Sequence, residues 1–184
     1  MQVKHLLLIA ILALTAACGA CGREALPDLG KLGLSPPPPL AVDPDLLLAL
    51  PERLGEAQRL FRATGGLHAA ALFDREGRLV ALREDVGRHN ALDKLIGWAF
   101  LQGKLPLHDH ILLVSGRAGY ELLVKAVAAG IPVFCAVSAP TSLAVALAQA
   151  YGLTLVGFLR PGRMNVYAGR ERVGPPRGLP NPCG

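Results

Sequence analysis

Two cysteines separated by two residues stand near the beginning of the chain. Cys18 and Cys21 enclose Gly19 and Ala20, and Gly22 follows them. A C-x-x-C turn can lower the pKa of one cysteine by directing backbone N–H groups and the second thiol at its sulfur, and the thiolate is the reactive form. Cys18 or Cys21 is therefore a candidate nucleophile for sulfur, metal or redox chemistry. The pair by itself leaves a structural role open, because cysteine is often a small buried apolar residue.

An apolar run precedes this pair. Lys4 and His5 come before residues 6–14, which are all apolar, and small residues then lead to Cys18. This order is typical of a secretory signal, although the run is shorter than the roughly 20 residues of a membrane span. Residues 15–18 distantly resemble a lipoprotein processing site, at which Cys18 would be acylated and blocked. A buried strand or helix over residues 6–14 is the alternative, and the sequence leaves both open.

Composition narrows the class of protein. The 184 residues suit one domain, and the net charge of +5 favours an anionic partner. Aromatic residues make up only 5% and no basic run occurs, so small phosphorylated ligands fit better than nucleic acid. A mean hydropathy of +0.39 indicates that a partner covers part of the surface, which favours a homodimer. The four cysteines, with one close pair, do not form a disulfide framework and favour a reducing compartment.

The pattern of elements predicts an α/β domain. Residues 1–17 are an apolar segment, 18–40 the C-x-x-C loop and a Pro-rich linker, 41–173 the α/β domain and 174–184 a disordered tail. We expect a helix over 43–62, capped by Asp43 and interrupted at Pro51. A hairpin follows, and then strands alternate with helices, so the later strands should be parallel. The predicted strands are 68–73, 78–83, 111–114, 131–137 and 153–158, and the later helices are 90–102, 119–129 and 141–151.

Polar loops lie where ligands bind in such sheets, beyond the carboxyl ends of the strands. Hydroxyls, arginines, glycine and helix-start N–H groups in these loops can bind a phosphate or a guanine edge. The candidates are Arg88, His89, Ser115, Gly116, Arg117, Ser138, Thr141, Arg160 and Arg163. Each has a plainer alternative, because Ser138 and Thr141 could cap a helix, the arginines could be solvated, and His89 could be a core histidine rather than a proton carrier. His108 and His110 look like loop residues and lack a zinc-site pattern.

Several motifs in fixed order resemble one family. Residues 84–94 read E-D-V-G-R-H-N-A-L-D-K, and S-G-R at 115–117, S-A-P-T-S-L-A at 138–144 and G-F at 157–158 follow, all after C-G-x-C-G. In this order they resemble the FdhD family of sulfur carriers required for formate dehydrogenase. The resemblance covers roughly residues 15–173, and ordered motifs are far more specific than any one of them alone.

The resemblance implies a cytoplasmic accessory protein with sulfurtransferase activity. It would accept sulfur from a cysteine desulfurase as a persulfide and pass it to the molybdenum or tungsten bis-guanine-dinucleotide cofactor, bound as a substrate, with no permanent metal of its own. Cys18 would carry the persulfide, and Cys21 would assist or resolve it. By the same resemblance one segment would contact the cofactor, namely Phe158, Leu159, Arg160, Pro161, Gly162 and Arg163.

The family's fold is similar to that of cytidine deaminases, a mixed sheet flanked by helices without the zinc chemistry. The absence of H-x-E and P-C-x-x-C from this sequence agrees with that.

The sequence departs from the family pattern before the C-x-x-C pair. Family members carry a sizeable β-rich region there, whereas here roughly fourteen apolar residues stand in its place. A truncated gene, a misassigned start or a shortened and exported relative would each explain this. The alternative functions are a C-x-x-C redox protein, a truncated cofactor-binding module without catalysis, and a lipoprotein.

Overall fold

The structure is a computed structural model, and it describes residues 29–174 apart from the side chain of Leu32. Cys18 and Cys21 lie outside the described residues, as do the apolar run and the tail from residue 175. The predictions on those segments therefore stay predictions. Within residues 29–174, no helix is long and apolar enough to cross a membrane.

Five α-helices and six strands form the described domain. The helices are α1 (Pro44–Ala57), α2 (Arg59–Thr64), α3 (Arg88–Leu101), α4 (Tyr120–Ala128) and α5 (Ser142–Ala150). The strands are β1 (His68–Asp74), β2 (Leu79–Asp85), β3 (His110–Val114), β4 (Val133–Ala136), β5 (Thr154–Arg160) and β6 (Arg163–Ala168). Short 3-10 helices at Leu29–Leu32 and Arg170–Arg172 stand at the two ends.

All six strands form one mixed sheet in the order β2-β1-β3-β4-β5-β6. The central strands β3, β4 and β5 are parallel, while β1, β2 and β6 each run antiparallel to their neighbours. The parallel strands are buried, as expected where helices connect them and cover the sheet. The predicted α/β architecture of a mixed sheet flanked by helices is confirmed.

Helices cover both faces of the sheet. On one face α3, α4 and α5 pack on residues such as Leu112 and Phe134, which are fully buried. On the other face α1 presents Leu47, Leu50 and Leu54 to a second cluster that includes the buried Cys135. Alternate side chains of each strand therefore lie in the two different cores. Because each strand packs on both faces, its ends and the loops that follow them are held in fixed positions.

The first helix differs from the prediction. Asp43 caps α1 as expected, since its carboxylate accepts the Asp45 N–H at 2.9 Å. The predicted interruption at Pro51 was wrong, because α1 continues through Pro51 to Ala57. Three buried leucines outweigh the hydrogen bond that the proline cannot donate. The break falls instead at Gln58, whose ψ of 78° is incompatible with a helix.

The second difference is the strand β6, which was not predicted. A polar loop was expected from Phe158, the last residue of the predicted strand, to Arg163, yet β5 continues through Leu159 and Arg160, and Arg163 already begins β6. Only residues 161–162 form the turn between the two strands. The alternation of exposed and half-buried side chains in β6 is that of an edge strand, a pattern with little hydrophobic signal.

Candidate functional site

The polar loops lie together at one edge of the sheet, the edge formed by the ends of the strands and not by an outer strand. The parallel strands β3, β4 and β5 end there, and the antiparallel direction of β1 and β2 brings the start of β1 and the end of β2 to the same edge. His68 pairs with Asp85, and Ala70 pairs with Val114, the last residue of β3. The loops after β2, β3 and β4 and the β5–β6 turn therefore meet at this edge.

Backbone and hydroxyl hydrogen bonds fix the loop after β3. The Ala69 N–H donates to Ser115 Oγ at 2.9 Å, and the Ser115 N–H donates to the Ala69 carbonyl at 3.0 Å. The hydroxyl thus ties the loop to β1 while keeping its own proton to donate. A Cβ on Gly116 would lie 3.4 Å from His68 Nδ1 and 3.7 Å from Arg88 Cδ, which are ordinary contact distances, so both side chains lie close to this loop.

The loop after β4 is joined to the loop after β3. The Ala118 N–H donates to the Ala139 carbonyl at 3.2 Å, and the Thr141 N–H donates to the Ala118 carbonyl at 3.0 Å. Thr141 Oγ1 accepts the Ala144 N–H at 3.2 Å, so the helix-capping alternative is the role that its hydroxyl has here. Ser138 does not cap α5, and its carbonyl accepts the Phe158 N–H at 3.2 Å.

The end of β5 has an unusual backbone. Phe158 has a φ of +50°, the one positive φ of a non-glycine residue in the described range. The pairing of β5 with β6 is irregular between Gly157 and Arg160. Phe158 and Arg160 are exposed, while Leu159 between them is buried. Such strained positions persist only where the surrounding structure holds them, and they cluster at binding sites.

A cleft of 660 Å³ opens beside this edge, between the sheet and the segment that carries α1 and α2. Most of its wall is apolar, with a few polar groups, which is typical of small-molecule sites. Of the predicted residues, Ser115, Leu159, Arg160 and Pro161 line it. The rest of the wall is formed by Pro51, Leu54, Gly55, Gln58, Phe61, Gly65, Gly66, Leu67, His68 and Val137.

The other predicted binding residues do not line the cleft. They are Arg88, His89, Gly116, Arg117, Ser138, Thr141, Phe158, Gly162 and Arg163. The sequence reasoning missed His68 in particular. The available signal was that His68 begins a strand, but only the antiparallel pairing of β1 with β3 shows which edge it faces.

His89 sits in a buried polar group between α3 and α4. Its Nε2 lies 3.9 Å from Glu121 Oε2, and only 9% of its side chain is exposed. Burial lowers the pKa of His89, and the positive charges of Arg88 and Lys125 lower it further. The lowered pKa favours the neutral imidazole, a form that both the core-histidine and the proton-carrier alternatives allow.

The described residues hold no cluster of three or more His, Cys, Asp or Glu side chains that could bind a metal ion. His110 belongs to β3 rather than to a loop, and it begins that strand at the edge opposite the cleft. Cys135, in β4, is fully buried, and burial raises the pKa of its thiol well above the usual range. Its thiol is therefore unreactive in the folded chain.

Comparison with known proteins decides the family. The family model described as the FdhD/NarQ family matches residues 10–174. This chain belongs to the FdhD/NarQ family. The match includes the C-x-x-C pair, the four polar loops and every strand of the sheet.

Curated FdhD/NarQ relatives carry the name sulfur carrier protein FdhD. The protein from Streptomyces avermitilis is 59% identical over 162 residues, covering 86% of this chain and 57% of its own length. The protein from Mycobacterium tuberculosis is 53% identical over 161 residues, covering 86% of this chain and 58% of its own length. The chain thus spans less than two thirds of the length of these relatives.

A solved structure of a related protein agrees with the fold. A crystal structure described as a formate dehydrogenase accessory protein from Desulfotalea psychrophila superposes with a TM-score of 0.70 at 31% identity, over 77% of this chain and 60% of that one. A guanine deaminase from Nitrosomonas europaea gives a TM-score of 0.49 at 17% identity, over 75% of this chain and 88% of that one.

Proposed function

We propose that this chain is a sulfur carrier that accepts persulfide sulfur on Cys18 and transfers it to the molybdenum or tungsten bis-guanine-dinucleotide cofactor, which it binds as a substrate. The observation that carries the proposal is the 660 Å³ cleft at the loop-bearing edge of the sheet in a member of the FdhD/NarQ family. The partners would be a cysteine desulfurase as donor and formate dehydrogenase as recipient, in the cytoplasm.

The walls of the cleft suit one end of such a cofactor. Phe61, Leu67 and Leu159 offer apolar surface to a flat heterocycle, while Arg160 can form paired hydrogen bonds with a phosphate. The glycines at 65–66 allow a ligand to approach the backbone closely. The net charge of +5 draws an anionic ligand toward the protein.

The sulfur chemistry needs a reactive thiol other than Cys135. Between residues 29 and 174 Cys135 is the only cysteine, and its buried thiol stays protonated. Cys18, Cys21 and Cys183 are the other cysteines of the chain, and the resemblance to the family assigns the persulfide role to the C-x-x-C pair. The Cys18 thiolate would attack the terminal sulfur of the desulfurase persulfide, forming a Cys18 persulfide and expelling the desulfurase cysteine as a thiolate.

Cys21 would then release the sulfur. Its thiolate attacks the inner sulfur of the Cys18 persulfide, so that a Cys18–Cys21 disulfide forms and hydrosulfide leaves. The two electrons that reduce the sulfur come from the cysteine pair, and a dithiol reductant restores both thiols. The hydrosulfide is the ligand delivered to the cofactor metal.

Intact mass spectrometry after incubation with a cysteine desulfurase and cysteine tests the proposal. We expect the wild type to gain one sulfur atom transiently, before Cys21 resolves the persulfide, Cys18→Ala to gain none, and Cys135→Ala, the matched control, to behave as wild type. Cys21→Ala should accumulate the persulfide because it cannot resolve it. A wild type that forms the Cys18–Cys21 disulfide without releasing hydrosulfide would instead indicate the redox function. Equal sulfur uptake by Cys18→Ala would refute the role of Cys18.

A further inference from the structure

The short helix α2 is held to the domain in an unusual way. None of its residues is buried, in contrast to α1, which buries Leu47, Leu50 and Leu54. The helical break at Gln58 precedes it, and Gly65, with a φ of +68°, ends it. Because α2 has no apolar anchor in the core, packing contributes little to its position.

A carboxylate from the sheet holds the first turn of α2. Glu84, near the end of β2, accepts the Leu60 N–H at 3.1 Å with one oxygen and the Phe61 N–H at 2.8 Å with the other. These N–H groups have no partner within the helix itself, and a negative charge also favours this end of a helix. Glu84 thus connects α2 to the edge strand by two charge-assisted hydrogen bonds.

The strand end that carries Glu84 is itself well fixed. Asp85 accepts the Gly87 N–H at 2.9 Å and pairs with Lys94 Nζ at 2.5 Å. Lys94 Nζ also donates to the Glu84 carbonyl at 3.4 Å. Glu84 therefore connects α2, which has no buried residue, to β2 and α3, which are held in place by these contacts.

The helix that Glu84 holds is one wall of the cleft. Phe61 and Gly65 line the cleft opposite Ser115 and Arg160. Phe61 is 41% exposed and its neighbour Leu60 is 56% exposed, so this wall presents unburied apolar surface beside the ligand site. A ligand in the cleft would cover the Phe61 ring, and this burial adds to the binding free energy only while α2 stays in place.

We propose that Glu84 is a positioning residue, whose carboxylate holds α2 as the outer wall of the cleft so that Phe61 can cover a bound ligand. This inference rests on the proposed function, which identifies the ligand as a guanine dinucleotide. Without the carboxylate α2 would populate displaced positions, and the apparent affinity would fall by the fraction of molecules in which the wall is in place.

Hydrogen–deuterium exchange and calorimetry on the full chain test the inference, with guanosine diphosphate as the probe. In Glu84→Ala we expect faster exchange of the α2 amides and a Kd for the probe that rises about tenfold, as for the loss of one charge-assisted hydrogen bond. Glu84→Gln keeps one acceptor oxygen, so its Kd and its α2 exchange rate should lie between those of the wild type and of Glu84→Ala. Glu56→Ala, which removes an exposed carboxylate from α1, should change the Kd by less than about twofold.

The outcomes separate the two claims. In the wild type the probe should also slow exchange in α2, because the ligand covers Phe61, whereas substitution of a purely structural Glu84 would leave the Kd of the probe unchanged. An unchanged Kd in Glu84→Ala, with normal binding by the wild type, overturns the positioning role and leaves the proposed function intact. No binding by the wild type overturns both the nucleotide site and this inference, whereas the sulfur uptake of Cys18 would still be measured independently.

Discussion

Removing the ammonium of Lys125 should destabilise the domain through the carboxylate that it leaves behind. The Lys125 side chain, on α4, is fully buried, and its Nζ lies 2.6 Å and 2.7 Å from the carboxylate oxygens of Asp93 on α3. Lys125→Met keeps the length and the apolar stem of the side chain but removes the charge. The Asp93 carboxylate then remains between the two helices without its partner.

The magnitude follows from the exposure of Asp93. Breaking a fully buried ion pair costs about 3–5 kcal/mol. Because 23% of the Asp93 side chain is exposed, water can solvate part of the charge, and we expect a loss of about 2–3 kcal/mol in the free energy of unfolding. Replacing both residues, as in Lys125→Met with Asp93→Leu, leaves no unpaired charge and should restore stability to within about 1 kcal/mol of wild type.

The pH dependence of the variant gives a second readout. Burial raises the pKa of Asp93, and in the wild type the Lys125 ammonium opposes that shift. In Lys125→Met burial acts without this opposition, so the folded state binds more protons than the unfolded state, whose Asp pKa is about 3.9. The stability of the variant should therefore fall as pH rises above about 4, and its deficit relative to wild type should be largest at neutral pH.

Urea denaturation followed by circular dichroism measures these differences in all four members of the double-mutant cycle. The reasoning is refuted if Lys125→Met alone stays within about 0.5 kcal/mol of wild type at pH 7, the range of an ordinary surface substitution. It is equally refuted if the double variant loses the sum of the two single losses, since the coupling would then be absent.

Two further predictions concern the loops at the site. Gly157→Ala places a Cβ 2.8 Å from Pro140 Cδ, so it should lower the free energy of unfolding by about 1–3 kcal/mol and weaken ligand binding. Gly97→Ala, in α3 with open space around it, is the control and should leave the free energy of unfolding unchanged or raise it by up to about 1 kcal/mol. Urea denaturation of both variants measures the difference. Asp85→Asn should lose about 1 kcal/mol at pH 7. Its hydrogen bond with Lys94 lowers the pKa of Asp85 to about 2. The extra stability of the wild type over the variant should therefore be complete above the pKa of Asp85 in the unfolded chain and should vanish as pH falls toward 2. Acid unfolding of both proteins measures this difference.

The sequence predicts the central sheet because local patterns determine it. Apolar runs bounded by turn residues gave β1, β3, β4 and β5 to within two residues at every end, and their alternation with helices gave the parallel direction. The β1–β2 hairpin followed from the turn residues at 74–77. These signals are independent of the rest of the fold.

The missed features depend on tertiary contacts instead. Lys125 lies in a helix where a lysine usually indicates the solvent face, yet Asp93 in another helix allows its complete burial. His68 lies in the cleft wall because β1 is antiparallel to β3, a pairing that no local pattern specifies. The helix α1 continues through Pro51 because of its buried leucines, which local propensity does not weigh.

The two sides of the cleft differ in what holds them, and this difference bears on how a ligand would be bound. Ser115 and the loops beside it are fixed by hydrogen bonds to neighbouring strands, so their donors need no further ordering when a ligand arrives. On the opposite side Phe61 depends on a helix without buried residues, and ordering that helix subtracts from the binding free energy. Glu84 reduces this cost before the ligand arrives, because two hydrogen bonds already hold α2 in place. Affinity should therefore respond to a residue that lies outside the cleft wall, mainly through faster dissociation once the outer wall is released.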